Sequence, residues 1–275
     1  MSTEPHVDCT VDAEGRITFA LPPGPAEGEE RLLLRLRPKK GQPEKVLHVL
    51  DLEPAADGRR RAVLGPEPVL AEGRWDVYLL GGPGAPRRER LRPGLRDLRA
   101  LVDGHLRERP SPLAVRIPYV TKDGHLTVRA WLRPAHAEAD GIDVTDRSMT
   151  VTARLHGTSL RSGATVQLRL RGSGGTVRTL RPRPRPAPED RAFSFTLTHQ
   201  ELAELAEATG SAGGVWNVFV RPAPETPFIR VARLLDDVAD RKDVFVYPSV
   251  DAAGALVRPY YTVDNDLSVE VTRTG

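Results

Sequence analysis

Cysteine is almost missing from this chain. Cys9 stands alone among 275 residues, so no intrachain disulfide can form, which fits a reducing, cytoplasmic setting. A reactive thiol needs an activating neighbour, and His6 is the nearest in sequence; a small packed residue is the plainer expectation. Aromatic residues make up only 5%, so ring platforms for a ligand are few. Lysine is rare too, since 35 of the 40 basic residues are arginine. Charges of both signs are interspersed and the net charge is only +3, whereas a nucleic-acid binder concentrates its cations in one stripe. No nucleic-acid partner is expected. No apolar run approaches the ~18 residues that a membrane-spanning helix requires. The opening residues MSTEPHVDCTVDAEG lack the basic-then-apolar order of a signal peptide. Neither membrane insertion nor export is expected.

Glycine and proline are plentiful, at 24 and 25 residues, and they punctuate short apolar runs, the pattern of many turns. RITFAL, RLLLRLR, KVLHVLDL, RRRAVL and WDVYLL alternate apolar and polar residues, and so do SMTVTARL, TVQLRLR, AFSFTLT, VWNVFVR and DVFVYP. Several short strands per ~130 residues, separated by turn signals, predict an all-β antiparallel sandwich.

The chain also repeats itself. At an offset of 141 residues, Pro118-Tyr119-x-Thr121-x-Asp123 falls on Pro259-Tyr260-x-Thr262-x-Asp264, and Gly73-x-Trp75-Asp76-Val77-Tyr78 falls on Gly214-x-Trp216-Asn217-Val218-Phe219. Further upstream the offset is 134, and Leu34-Arg35-Leu36-Arg37 matches Leu168-Arg169-Leu170-Arg171. The difference falls in THQELAELAEATG, where Thr198 and Glu201 form a capping box, Leu202 and Leu205 share a face and Gly210 offers a stop. Two tandem domains follow, residues 1–134 and 135–275, the second with a short inserted helix near 199–208. LRPAHAEADG, residues 132–141, reads as the polar linker. RPRPRP, residues 181–186, reads as a solvated loop, because proline lacks the ladder donor.

Asp123-Gly124 and Asp264-Asn265 suit a two-residue hairpin turn with positive φ. A turn centred there pairs Thr121 with Leu126 and Tyr119 with Val128, and likewise Thr262 with Leu267 and Tyr260 with Val269. These repeated positions form the inward face. The outward face then carries Lys122, His125 and Arg129 in the first copy, and Tyr261, Asp266 and Glu270 in the second. Basic against acidic, these faces are a candidate interaction surface for self-association or for a protein partner. Trp131 and Tyr261 are the candidate rings for stacking on a sugar. Trp75 and Trp216 recur in register and read as core.

Signals for catalysis are thin. The seven histidines show no i, i+4 metal spacing and no zinc pairing with cysteine. No G-x-S-x-G elbow or Walker loop is present; GGPG and GSGG read as loop tips. Asp264-Asn265-Asp266 spells a D-x-D metal motif but sits where Asp and Asn are favoured as turn residues. Catalytic, cofactor and metal residues are all assigned as none, and the chain is expected not to be an enzyme.

The Gly-x-Trp-[Asp/Asn]-Val-[Tyr/Phe] strand followed by the Pro-Tyr-x-Thr-x-Asp-[Gly/Asn]-x-Leu-[Ser/Thr]-Val hairpin, in tandem, resembles the immunoglobulin-like C-terminal modules of bacterial wall-teichoic-acid-type glycosyltransferases. The resemblance implies two immunoglobulin-like sandwiches that serve oligomerisation or engage a polymer beside a separate catalytic domain, with a glycosyltransferase as the protein partner; residues 1–275 contain no such catalytic domain. It therefore implies a non-catalytic accessory or assembly module associated with a glycan- or envelope-polymer-synthesising enzyme. A carbohydrate-binding module and a transferase-related enzyme with a site between the domains are the alternatives.

Overall fold

The computed structural model describes residues 5–24, 30–38, 41–44, 47–81, 88–105, 107–172, 177–186, 191–208 and 213–274. The chain forms two compact units. The first comprises the chain up to Arg107 together with Ala114–Leu132 and Leu235–Ala239; the second takes Glu108–Leu113, Arg133–Leu234 and Asp240 onward. Both are built from short strands, as an all-β sandwich requires.

In the first unit, β1 (His6–Val11), β2 (Ile17–Leu21), β5 (Glu53–Pro54), β6 (Arg60–Leu64) and β9 (Arg92–Asp97) make one sheet, in the order β5-β6-β2-β1-β9. The other sheet runs β10-β11-β7-β3-β4, from β3 (Arg31–Leu36), β4 (Leu47–Asp51), β7 (Gly73–Leu80), β10 (Leu113–Val120) and β11 (Leu126–Arg133), with β8 (Arg88–Arg90) also paired to β7. Alternation decides which side chains turn inward: Ile17, Phe19 and Leu21 from β2, and Trp75, Val77 and Leu79 from β7, are all buried. A short helix α1 (Arg99–Asp103) was not expected from the sequence; it buries Leu101.

The second unit repeats this plan. β12 (His136–Val144), β13 (Ser148–His156), β16 (Arg183–Pro184), β17 (Ala192–Thr198) and β19 (Ile229–Ala232) correspond to β1, β2, β5, β6 and β9. β14 (Thr165–Leu170), β15 (Val177–Leu180), β18 (Gly213–Arg221), β21 (Ala255–Tyr261) and β22 (Leu267–Arg273) correspond to β3, β4, β7, β10 and β11, and β20 (Val250–Ala252) extends the edge beside β21. Each unit keeps one parallel pair among antiparallel neighbours, β1 with β9 and β12 with β19. In the first unit β8 pairs with β7 and β9 with β1. In the second, β19 alone pairs with both β18 and β12, which joins the two sheets into one continuous ladder. A single core cluster takes Met149, Val151, Phe193 and Phe195 from one half and Trp216, Val218, Val257 and Val269 from the other. The helix α2 (His199–Ala208) starts where Thr198 Oγ1 accepts from the Glu201 backbone N–H, and it adds Leu202, Ala203 and Ala206 to that core.

The hairpin turns differ from expectation. Each loop has three residues, not two. Thr121 N donates to His125 O and Gly124 N to Thr121 O; Thr262 N donates to Asp266 O and Asn265 N to Thr262 O. The third loop residue takes the left-handed conformation, Gly124 at φ 78° and Asn265 at φ 60°, which is a type I turn closed by a bulge. The extra residue slips the register by one: Tyr261 pairs with Leu267, Tyr260 with Ser268 and Pro259 with Val269. One step of slip reverses a strand's faces. The return strand therefore keeps its expected inward residues, Leu267 and Val269, while on β21 the inward residues are Val257, Pro259 and Tyr261.

Three other segments are corrected. Residues 136–141, read as linker, open β12, with Ala137 and Ala139 in the core and His136 and Glu138 alternating with them. Part of RPRPRP is an edge strand, Arg183 and Pro184 pairing with Ser194 and Phe193. DVFVYP is not a ladder strand; Phe245 and Tyr247 pack on the Tyr261 ring at 6.1 and 6.3 Å. Gly210 and most of GGPG and GSGG lie outside the described residues.

Asn265 combines two roles. Its backbone is left-handed, and its Oδ1 accepts from the Arg241 N–H at 3.1 Å in a fully buried setting. Asn265→Gly keeps the backbone and loses the side-chain bond, whereas Asn265→Ala loses the bond and adds about 1 kcal/mol or more of left-handed strain. Urea unfolding should rank wild type above Asn265→Gly and Asn265→Gly above Asn265→Ala.

Candidate functional site

Most of the residues singled out from the sequence are buried or already paired within their own unit. Lys122 is exposed at the first hairpin tip, and His125 Nδ1 lies 3.1 Å from Asp123 Oδ2 beside it. Arg129 is buried, with its guanidinium 4.8 Å from the Trp131 ring centre. Trp131 is 1% exposed and Tyr261 0%, so neither ring is open to a sugar. Trp131 lies two residues before the end of β11, with its ring buried; Tyr261 was turned inward by the register slip. Asp266 already meets Arg230 Nε at 3.4 Å and Arg133 Nη2 at 3.7 Å, and Glu270 accepts from Arg258 Nη2 at 2.7 Å. The acidic half of the expected charge pairing is thus engaged by its own unit.

A different constellation emerges on the outward face of the sheet containing β7. Asp76 points outward between β3 and β11, opposite Arg35 and Thr127 in the ladder. Its carboxylate is buried beneath arginines. Arg37 donates through Nε and Nη2 at 2.8 and 2.7 Å, Thr127 Oγ1 donates at 3.2 Å, and Arg90 and Arg35 approach to 3.4 and 3.7 Å. The Asp76 hydrogen bond, with its charge, holds the Arg37 pKa above the usual guanidinium value against the opposing effect of burial. Arg35 lies 5.4 Å from the Tyr78 ring centre.

The second unit places the same residue types at the same register. Asn217 faces Arg169 and Ser268, as Asp76 faces Arg35 and Thr127. Arg230 pairs with Phe219, as Arg90 pairs with Tyr78. Asn217 Oδ1 accepts from Arg171 Nη2 at 3.1 Å and from Ser268 Oγ at 3.2 Å. The outward face is therefore repeated as well as the core. The signal was present in the match of Arg35 and Arg37 to Arg169 and Arg171. It was missed because the repeat was read as core alone.

Removing the central carboxylate should expose the design of the first face. Asp76→Ala leaves three arginines facing one another, and the expected loss is about 2–3 kcal/mol, less than for a sealed ion pair because Arg35, Arg37 and Arg90 remain 25–35% exposed. Asp76→Asn, which copies the second unit, should lose less. Equal stabilities of all three proteins in denaturant titrations would contradict this account.

A second polar group lies inside the second unit. Glu138 Oε2 accepts from the Leu234 N–H at 2.8 Å and lies 2.7 Å from His136 Nε2. The rings of His136 and His156 pair across β12 and β13, with centres 6.1 Å apart. All three side chains are buried, so the group is sealed and structural. Burial pushes the His156 pKa down to about 4, with the neighbouring His136 acting in the same direction, Glu138 opposing, and Arg154 and Arg109 lowering it further. Elsewhere, burial pushes the Cys9 thiol up to about 12, so this cysteine is a packed core residue.

The sign of the His156 effect follows directly. A histidine with pKa about 6.5 in the unfolded chain and about 4 in the folded one binds its proton first when unfolded. Stability is then lost as pH falls from about 6.5 to about 4, at up to roughly 1.4 kcal/mol per unit for one proton. His156→Phe should flatten that slope in urea titrations between pH 6.5 and 4; an unchanged slope would rule the histidine out.

Among the described residues, no group of three or more His, Cys, Asp or Glu is arranged to hold a metal ion, and no helix is long and apolar enough to cross a membrane. No family model matches the chain, and no curated protein matches it. Solved structures do show similarity. One is S. aureus TarS, a teichoic acid glycosyltransferase, at 17% identity and TM-score 0.30, covering 70% of this chain and 35% of that one. Its 217–571 segment is similar at 16% identity and TM-score 0.31, covering 77% of this chain and 60% of that one. A DUF3823 family protein from Parabacteroides merdae follows at 12% identity and TM-score 0.20, covering 83% of this chain and 98% of that one. The chain thus spans about a third of TarS.

Proposed function

We propose that this chain is a non-catalytic accessory or assembly module that works beside a glycan- or envelope-polymer-synthesising enzyme and engages its partner through outward sheet faces. One observation carries the reading. Arg35, Arg37 and Arg90 around Asp76 recur as Arg169, Arg171 and Arg230 around Asn217, at matching ladder positions. Core repetition follows from the need to refold the same sandwich; the outward arginines also stabilise their sheet, but they remain partly exposed cations in the first unit, and their repetition in the second supports a surface that is used. Arginine's planar fork suits recognition of carboxylate and phosphate groups. The assignment to a glycan or envelope-polymer pathway rests on the hairpin and Gly-x-Trp motifs. Sugar binding through Trp131 or Tyr261 is disfavoured by their burial.

Affinity capture of the tagged full chain from its native cell extract, followed by mass spectrometry, tests the reading. Stoichiometric recovery of a glycan- or polymer-synthesising enzyme is the expected outcome, with loss of recovery in Arg35→Gln/Arg169→Gln. Recovery of the chain alone would discard the partner.

A further inference from the structure

The two repeated faces differ in one decisive group. In the first unit Asp76 gathers Arg35, Arg37 and Arg90 onto its own carboxylate. In the second unit the matching arginines flank a neutral amide, Asn217: Arg171 bonds its oxygen, Arg169 donates through Nε and Nη2 to Gln167 Oε1 at 3.2 and 3.0 Å, and Arg230 Nη2 donates to Ser268 Oγ at 3.2 Å. Arg221, at the end of β18, adds a fourth cation. Asp266 offsets part of this charge through Arg230, while Glu270 is bound to Arg258.

Two phenylalanine rings hold the cations together. Arg169 lies 3.9 Å from the Phe228 ring centre and 4.8 Å from that of Phe219. Arg230 lies 4.9 Å from the Phe219 centre and Arg221 5.0 Å from the Phe228 centre, and the two rings are 6.4 Å apart. Guanidiniums so placed repel one another, and the ring faces offset only part of that repulsion. Arg230 Nη1 is buried with no acceptor among the described residues. Asn217 Oδ1 is occupied by Arg171 and Ser268, which turns the amide NH2 away from them as a donor.

We propose that this face of the second unit is an oxyanion site for a phosphate-type group, a phosphomonoester or phosphodiester. The first unit supplies its own central anion in Asp76; in the second, Asp266 meets only Arg230 of the three matching arginines, and the site takes a further anion from outside. A carboxylate offers two oxygens in one plane, and even Asp76 holds only Arg37 closely, at 2.7 Å, while Arg90 and Arg35 stay at 3.4 and 3.7 Å. A tetrahedral phosphate presents oxygens in several directions and suits more than one fork at once. The inference rests on reading the outward faces as binding surfaces, not on the identity of any enzyme partner.

The test is a titration of the full chain with inorganic phosphate and, separately, with dimethyl phosphate, at ionic strength held constant with chloride. The arginine Nε–Hε resonances report the site. Saturable shifts at Arg169 and Arg230 are expected with one or both probes, and the stronger probe identifies monoester or diester recognition. Asn217→Asp supplies an internal carboxylate as the first unit does, and should weaken binding about tenfold with the fold retained by circular dichroism. Arg169→Gln provides a second variant should that one fail to fold. Shifts no larger than those in chloride, or affinities unchanged in both variants, would overturn the proposal. Partner capture without phosphate binding would overturn this site and leave the accessory reading standing; phosphate binding without partner capture would do the reverse.

Discussion

One left-handed residue in each closing hairpin sets the arrangement of everything around it. Gly124 and Asn265 each occupy the third position of a three-residue loop, a conformation that costs most side chains 1–2 kcal/mol and costs glycine little. Asparagine is the usual substitute because its short amide can bond locally. Here Asn265 bonds to Arg241, whose guanidinium reaches Arg233 O and lies over Phe245. Both loops are further pinned through the carbonyl of that same residue, by Arg92 Nη1 in the first unit and by the Arg233 N–H in the second. The register that results sends Tyr261 into the core and places Ser268 opposite Asn217. A loop shorter by one residue would turn Tyr261 outward and break both.

Much of the fold was legible because it depends on period-two alternation and on repetition. The strand runs, the repeated Gly-x-Trp segment, the capped helix at 199–208 and the core positions of Trp75 and Trp216 follow from patterns that survive any uncertainty in pairing. The hairpin faces did not, since they depend on loop length. Asp-Gly and Asp-Asn are compatible with a two-residue turn and with a three-residue turn closed by a bulge, and one residue of difference reverses a strand. The His136-Ala137-Glu138-Ala139 segment misled for another reason. Its polar residues satisfy one another, Glu138 with His136 and the Leu234 N–H. Composition alone marks such a segment as solvated, although buried polar groups are routine when they are bonded.

The candidate site was the least legible part. Arg35 and Arg169 were visible as a match, but nothing local says that Asp76 lies opposite one and Asn217 opposite the other. That juxtaposition is a property of the ladder, assembled from strands 41 and 48 residues apart in the chain. The expected basic and acidic hairpin faces were the converse case. Sequence could count Asp266 and Glu270 but not their neutralisation by Arg230 and Arg258.

The difference between the two faces has a consistent physical logic. Burying the Asp76 carboxylate carries a desolvation cost that is recovered only because several donors converge on it, and once they have converged the first face is electrostatically closed. An amide at the same position avoids that cost and still orients Arg171 and Ser268 through its oxygen. What it does not do is neutralise the surrounding guanidiniums, of which Asp266 offsets Arg230 alone. Their field is therefore directed outward, where two phenylalanine rings keep it concentrated. Duplication of a sandwich requires only that the inward residues be kept; a change from carboxylate to amide leaves the fold intact and converts a self-satisfied surface into one that seeks an anion.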